Sequence, residues 1–192
     1  MKKLLLILIL TLNFQTLTKA DDIKDFEMEG ISIGDSLLNF YKKSELDKIE
    51  RFYYPNSRKF IGLYSEIFNR DLKTYDAIQF SVDPDSYKIE AIAGLNYSFK
   101  NNKKKCYREM EKIFNEIQSL FPNSSIEKEK EDTHTGDPSG KSIVKVYIIY
   151  LTNGRIQVTC TDWAEHTEKW DTLKISIHTK EHMEWINNEA YD

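Results

Sequence analysis

The sequence predicts an α+β domain, with helices packed on an antiparallel sheet, and three observations carry that expectation. Six runs read as strands, at 58–66, 75–82, 87–99, 142–151, 154–163 and 172–179. One long stretch between the third and fourth runs repeats its apolar residues at helical spacing instead. The joints are rich in turn residues, Asp83-Pro84-Asp85-Ser86 in the first group of three runs and Asn153-Gly154 in the second. The resulting order, α-β-β-β followed by α-β-β-β, also fits two units at residues 35–99 and 100–180.

Ahead of these elements, Lys2 and Lys3 precede an apolar run over residues 4–12 and the tripeptide Thr18-Lys19-Ala20. This is the layout of a secretory signal peptide, residues 1–20, cleaved after Ala20. Asn13, Gln15 and Lys19 interrupt the run well short of the roughly 20 apolar residues of a membrane span. The expectation is therefore a mature chain over 21–192 that forms one domain, secreted or periplasmic, with no transmembrane segment. Losing Lys2, Lys3 and Lys19 makes the net charge of −4 more negative still. Such a balance argues against a nucleic-acid partner, which calls for a basic face. The one dense basic cluster, residues 100–108, opens the long helix and reads as its solvated side, the sharper alternative being a phosphate or headgroup patch.

Residues 26–33 alternate like a short strand. Over 36–50, Leu37, Leu38, Tyr41, Leu46 and Ile49 form a helical stripe, and Ser44 and Asp47, spaced as a capping box, leave open two short helices or one continuous one. In the long helix, over 102–121, Cys106, Met110, Ile113, Phe114, Ile117, Leu120 and Phe121 recur on one face. The connector 127–141 has almost no apolar content and is expected to be a mobile surface loop, a poor place for catalysis. Residues 180–192 read as a short helix or frayed tail anchored by Met183, Trp185 and Ile186.

Two cysteines are present. Cys106 lies on the apolar stripe of the long helix, and Cys160 shares a strand face with Ile156 and Val158. If that helix packs on that face the sulfurs can meet, and an oxidising compartment makes a Cys106–Cys160 disulfide the expectation; the alternative is two separate buried thiols. No C-x-x-C spacing exists for a redox-active pair.

Helix-turn-helix followed by a three-stranded meander, approached through Gly30-Ile31-Ser32-Ile33-Gly34-Asp35-Ser36-Leu37, resembles the small envelope modules of the SmpA/OmlA and beta-lactamase-inhibitor-protein type. The resemblance implies a sheet used to bind other proteins. The chain departs from the lipoprotein members in lacking a lipobox cysteine. Gly34-Asp35-Ser36-Leu37 also resembles the signature of the GDSL serine esterases, which implies Ser36 as nucleophile, with His166 as base and Asp162 as its orienting acid. The chain departs from that family at Tyr97, where Gly94-Leu95-Asn96 would be followed by aspartate, in having no Asp-x-x-His, and in running its strands three at a time. The local reading of the same letters is that Gly34 releases a strand, Asp35 or Ser36 caps a helix, and Leu37 and Leu38 begin its stripe.

His178 and His182 lie four apart, and Asp162, Glu165, His166 and Glu168 crowd one connector, but the H-E-x-x-H pattern is absent and no metal or cofactor is expected. Trp163 and Trp170 flank that connector, as a platform for sugar or peptide or as a cover for the end of the sheet. These readings favour a secreted or periplasmic, non-enzymatic module that binds an unidentified protein partner. The alternative is a secreted esterase working through Ser36, His166 and Asp162.

Overall fold

The computed structural model describes residues 22–64 and 72–191. The signal segment expected over 1–20 lies outside the described residues. Within them the α+β class holds, with three helices, a nine-stranded antiparallel sheet and a separate two-stranded hairpin.

The hairpin pairs β1 (Glu27–Met28) with β2 (Ile31–Ser32). Its two central residues, Glu29 and Gly30, both take positive φ, at 53° and 75°, as the tight turns that suit strand twist require. The residues 36–50, expected as helix, form a 3₁₀ turn at Leu37–Asn39 and a single α-helical turn, α1 (Lys43–Leu46). The backbone there is drawn away from helix. Gly34 donates its N–H to the Ile89 carbonyl at 2.9 Å, Leu37 to Tyr87 at 3.0 Å, and Ser36 forms a β-bridge with Lys88. Nor does Ser44 cap a second helix. It lies inside α1, whose start is closed by Glu45 accepting the Lys42 N–H at 2.8 Å.

The strands follow as β3 (Arg51–Phe52), β4 (Ile61–Tyr64), β5 (Ala77–Val82) and β6 (Ile89–Asn96). After α2 (Lys103–Leu120) come β7 (Ser125–Lys128), β8 (Asp132–Thr133), β9 (Ile143–Leu151), β10 (Gly154–Asp162) and β11 (Thr172–Thr179), and then α3 (Lys180–Asn188). The sheet runs β3-β4-β5-β6-β11-β10-β9-β7, with β8 also on β9. Its centre is the β6–β11 pair, where the last strand of each three-strand meander meets the other. The connector expected as a loop thus supplies strands. Their side chains are exposed, so no apolar pattern marks them, and their backbone completes the edge of β9.

One face of the sheet holds the main core. Cys106, Met110, Ile113, Phe114 and Ile117 of α2 are buried in one cluster with Ile156, Val158 and Cys160 of β10 and Leu173, Ile175 and Ile177 of β11. Ile78, Phe80 and Val82 of β5 and Ile61 and Leu63 of β4 extend it. Each such side chain contributes about 1.5–3 kcal/mol relative to exposure. Asn102 starts α2 by accepting the Lys105 N–H at 3.1 Å, and Pro122 follows its end.

Cys106 and Cys160 form a disulfide across 54 positions, fastening α2 to β10. Among the described residues no helix is long and apolar enough to cross a membrane. Closing a loop of that length stabilises the fold by about 4 kcal/mol in the chain-entropy account. Reduction is expected to lower Tm by about 10 °C, and the Cys106→Ser/Cys160→Ser protein to melt at the same lowered temperature whether or not reductant is present, as read by differential scanning calorimetry.

Candidate functional site

Strand alternation that sends Ile156, Val158 and Cys160 into the core sends Arg155, Gln157 and Thr159 to the opposite face. Register places His178, Ser176 and Lys174 of β11 directly across from them, in that order. Small side chains of β6 continue the face, with Ala91 opposite His178 and Ala93 opposite Ser176. This second face is therefore polar at its centre, although Ser176 and Thr159 are almost wholly buried there.

The helix α3 covers one end of that face. Thr179 caps it by accepting the His182 N–H at 3.0 Å, which sets His182 above β11. A chain of polar contacts results. Ser176 Oγ lies 2.9 Å from His178 Nε2, and His178 Nδ1 lies 3.3 Å from His182 Nδ1. Two Nδ1 atoms can share one proton only if one offers a lone pair, so at least one ring is neutral. Burial, the largest cause for both, pushes His182 down to about 4 and His178 well below the ordinary histidine value, with Arg155 adding repulsion. His182 Nε2 is buried without a hydrogen-bond partner.

Beyond α3, on the same face, aromatic rings gather at the β3–β4 edge. Trp185 is the buried centre, with its Nε1 donating to Ser57 Oγ at 2.7 Å and Phe60 and Tyr54 packed edge-on against it at 5.0 and 4.6 Å. Tyr54 in turn meets Phe52 and Tyr191, and Phe52 meets Tyr64. Phe52, Tyr64 and Tyr191 stay 37%, 40% and 56% exposed, so a buried aromatic anchor carries an exposed aromatic rim. Burial among these rings pushes Tyr54 up to about 12.

The residues singled out in the sequence are distributed over several places. Ser36 caps the 3₁₀ turn by accepting the Leu38 N–H at 3.3 Å, and its hydroxyl donates to the Ser86 carbonyl at 2.7 Å. Asp35 is also engaged, accepting the Ser32 N–H at 3.0 Å, and Gly34 takes a φ of 89° that suits glycine. His166 bonds to Asp137, at 3.2 Å, rather than to Asp162. Asp137 is buried and accepts from Ser139 N–H, Ser142 N–H and Ser142 Oγ–H, which hold its carboxyl well below the usual carboxylate range. Asp162 lies by the disulfide, in a depression of about 10 Å³ lined also by Lys103, Tyr107 and Asp171, no more than a water's room. Burial pushes its carboxyl up, and Asp171 adds to the shift. The structure thus joins none of Ser36, His166 and Asp162 to another by a hydrogen bond.

Trp163 packs on His134 at 4.2 Å and under Lys169 at 4.1 Å, whereas Trp170 is exposed beside Tyr97 and Lys100. In the basic cluster, Lys103 pairs with Glu131 at 3.0 Å and Lys105 donates to the Ser98 carbonyl. Among the described residues no group of three or more His, Cys, Asp or Glu side chains could hold a metal, so the His178–His182 pair lacks a third ligand of those types. Sequence reasoning missed Asp137 and the pairing of Arg155 with His178 and of Thr159 with Lys174. The first sits in a stretch without apolar pattern, and the second follows only from strand register. No protein-family model, curated protein or solved structure matches the chain.

Ser36→Ala removes a cap and a tertiary hydrogen bond and is expected to cost about 0.5–2 kcal/mol, with Asp35→Ala also destabilising, in urea melts. The histidines give a pH signature. Above their unfolded value of 6.5 both states are neutral; below it the unfolded chain takes protons that the folded one refuses. Stability should therefore fall from pH 6.5 towards 4, by about 3 kcal/mol for His182 alone. Replacing His182 with Leu should flatten that part of the profile.

Proposed function

We propose that this chain is an exported, non-enzymatic binding module that grips another protein through the aromatic edge of its second sheet face. The observation that carries the reading is the exposed rim of Phe52, Tyr64 and Tyr191 around buried Trp185. Large rings held by a rigid neighbour offer contact area at little entropic cost, and aromatic residues are enriched at the centres of protein interfaces. Arg58, stacked over Tyr53 at 4.8 Å, adds another interface-type residue nearby. The occupant is an apolar segment of a partner protein.

Several features support the rest of the proposal. The basic and apolar start of the sequence supports export, and the Cys106–Cys160 bond suits an oxidising compartment, secreted or periplasmic. The meeting of two meanders along β6 and β11 supports a layout of two related units, as in the envelope modules that the element order resembles. Ser36, engaged as a cap, offers no support to the esterase alternative.

Tagged protein should capture a partner from an envelope or secreted fraction, and Phe52→Glu/Tyr64→Glu should lose that capture at least tenfold while keeping its disulfide and its circular dichroism spectrum. Equal capture by the two proteins contradicts the aromatic edge as the binding surface. Capture of a second copy alone, confirmed by sedimentation, would replace the partner with a homodimer.

A further inference from the structure

The second sheet face also carries two cations, Arg155 and Lys174, close to the neutral ring of His178. Arg155 and His178 are direct cross-strand partners, as are Thr159 and Lys174, with Gln157 and Ser176 between them. All six side chains rise from the same face and all six can donate hydrogen bonds. No acidic residue stands among them. Among the described residues neither Arg155 nor Lys174 takes part in an ion pair. Arg155 Nε is buried without a hydrogen-bond partner. Glu129, just beyond β7, and Glu127, within it, attract Arg155, and Glu127 also accepts from the Tyr150 hydroxyl at 2.6 Å.

Holding like charges close together in a partly buried place costs free energy that folding must cover elsewhere. Here the cost is visible in each partner. Lys174 is pushed down by burial and then by Arg155, His178 by burial and then by His182, Arg155 and Lys174, and Arg155 by burial against the upward pull of Tyr150, Glu129 and Glu127. A bound anion favours the charged form of each group and so opposes all of these shifts. Arg155 supplies the planar fork that matches an oxyanion, Lys174 a mobile point charge, and Ser176 and Thr159 hydroxyl donors from the floor.

We propose that Arg155 and Lys174, on the second face of the sheet, form a binding site for an oxyanion, a phosphate or a carboxylate group, with His178 beside it where its titration reports the bound charge. The site is separate from the aromatic edge and does not depend on the protein-binding role. Its ligand is small or is the end of a side chain, because the floor between β10 and β6 is set by Ser176 and Ala93.

The test uses the intact, disulfide-bonded protein. The His178 ring is followed by NMR across a pH titration in sodium chloride, and again with inorganic phosphate, succinate or a hexaglutamate peptide at matched ionic strength. At least one oxyanion should raise the His178 pKa by a unit or more and raise Tm in a saturable way. Lys174→Met and Arg155→Gln, made separately, should each weaken that response tenfold or more. The responding probe identifies the source: phosphate a phosphoryl ligand, succinate a small carboxylate, the peptide alone an acidic protein segment. If none of the three exceeds the chloride control, or if the saturable response survives both substitutions, the site does not exist. Should a variant fail to fold, the wild-type titration still decides.

Discussion

A sheet of nine strands has two faces to cover, and among the described residues there is one long helix. That constraint organises the rest of the molecule. The strands β10 and β11 obey it most visibly, with Ile156, Val158, Cys160, Leu173, Ile175 and Ile177 turned towards α2 and Arg155, Gln157, Thr159, Lys174, Ser176 and His178 turned away. Because side chains alternate with period two, a one-residue slip of either strand would exchange the two sets and bury the cations under α2. The Cys106–Cys160 bond joins helix and strand on the correct side of this choice.

The second face is satisfied by other means. Its backbone is already paired in the ladder, so polar side chains there need only find one another. Ser176, His178 and His182 do so in a chain, and Gln157 donates to Thr159 at 3.0 Å. The helix α3 is short and brings Trp185, with Ile186 packed beside it, to rest with Phe60 and Ala190 in a satellite core. The aromatic rings around Trp185 extend past what α3 can cover, which is why an interaction surface is proposed at that edge. The cations at the centre are a separate consequence of the same constraint.

Much of the fold was legible because apolar spacing reports burial. The α2 stripe from Cys106 to Ile117, the Asn153-Gly154 hairpin and the partnership of Cys106 with Cys160 all follow from spacing and redox setting. The segment 36–50 shows where spacing fails. Leu37 and Leu46 are buried as a stripe would demand, but backbone bonds to Tyr87 and Ile89 compete with helix and win, leaving Leu38 exposed. The connector 127–141 failed for the opposite reason. Its strands bury no side chains and its one buried anchor is Asp137, a residue type that hydropathy reads as surface. The candidate sites were less legible than the fold, since Arg155 meets His178, and Tyr54 meets Trp185, only through register and long-range packing.

One sheet face is covered by α2 together with the amino-terminal hairpin and turns, while the other keeps an exposed aromatic edge. Hydroxyl-radical footprinting of the oxidised protein, read residue by residue by mass spectrometry, tests this division most directly. Phe52, Tyr64 and Tyr191 should be modified readily, and Phe114, Met110 and Trp185 should be protected until the protein is denatured. Protection of the first three in the isolated protein, or ready modification of Met110 or Phe114, would contradict the account.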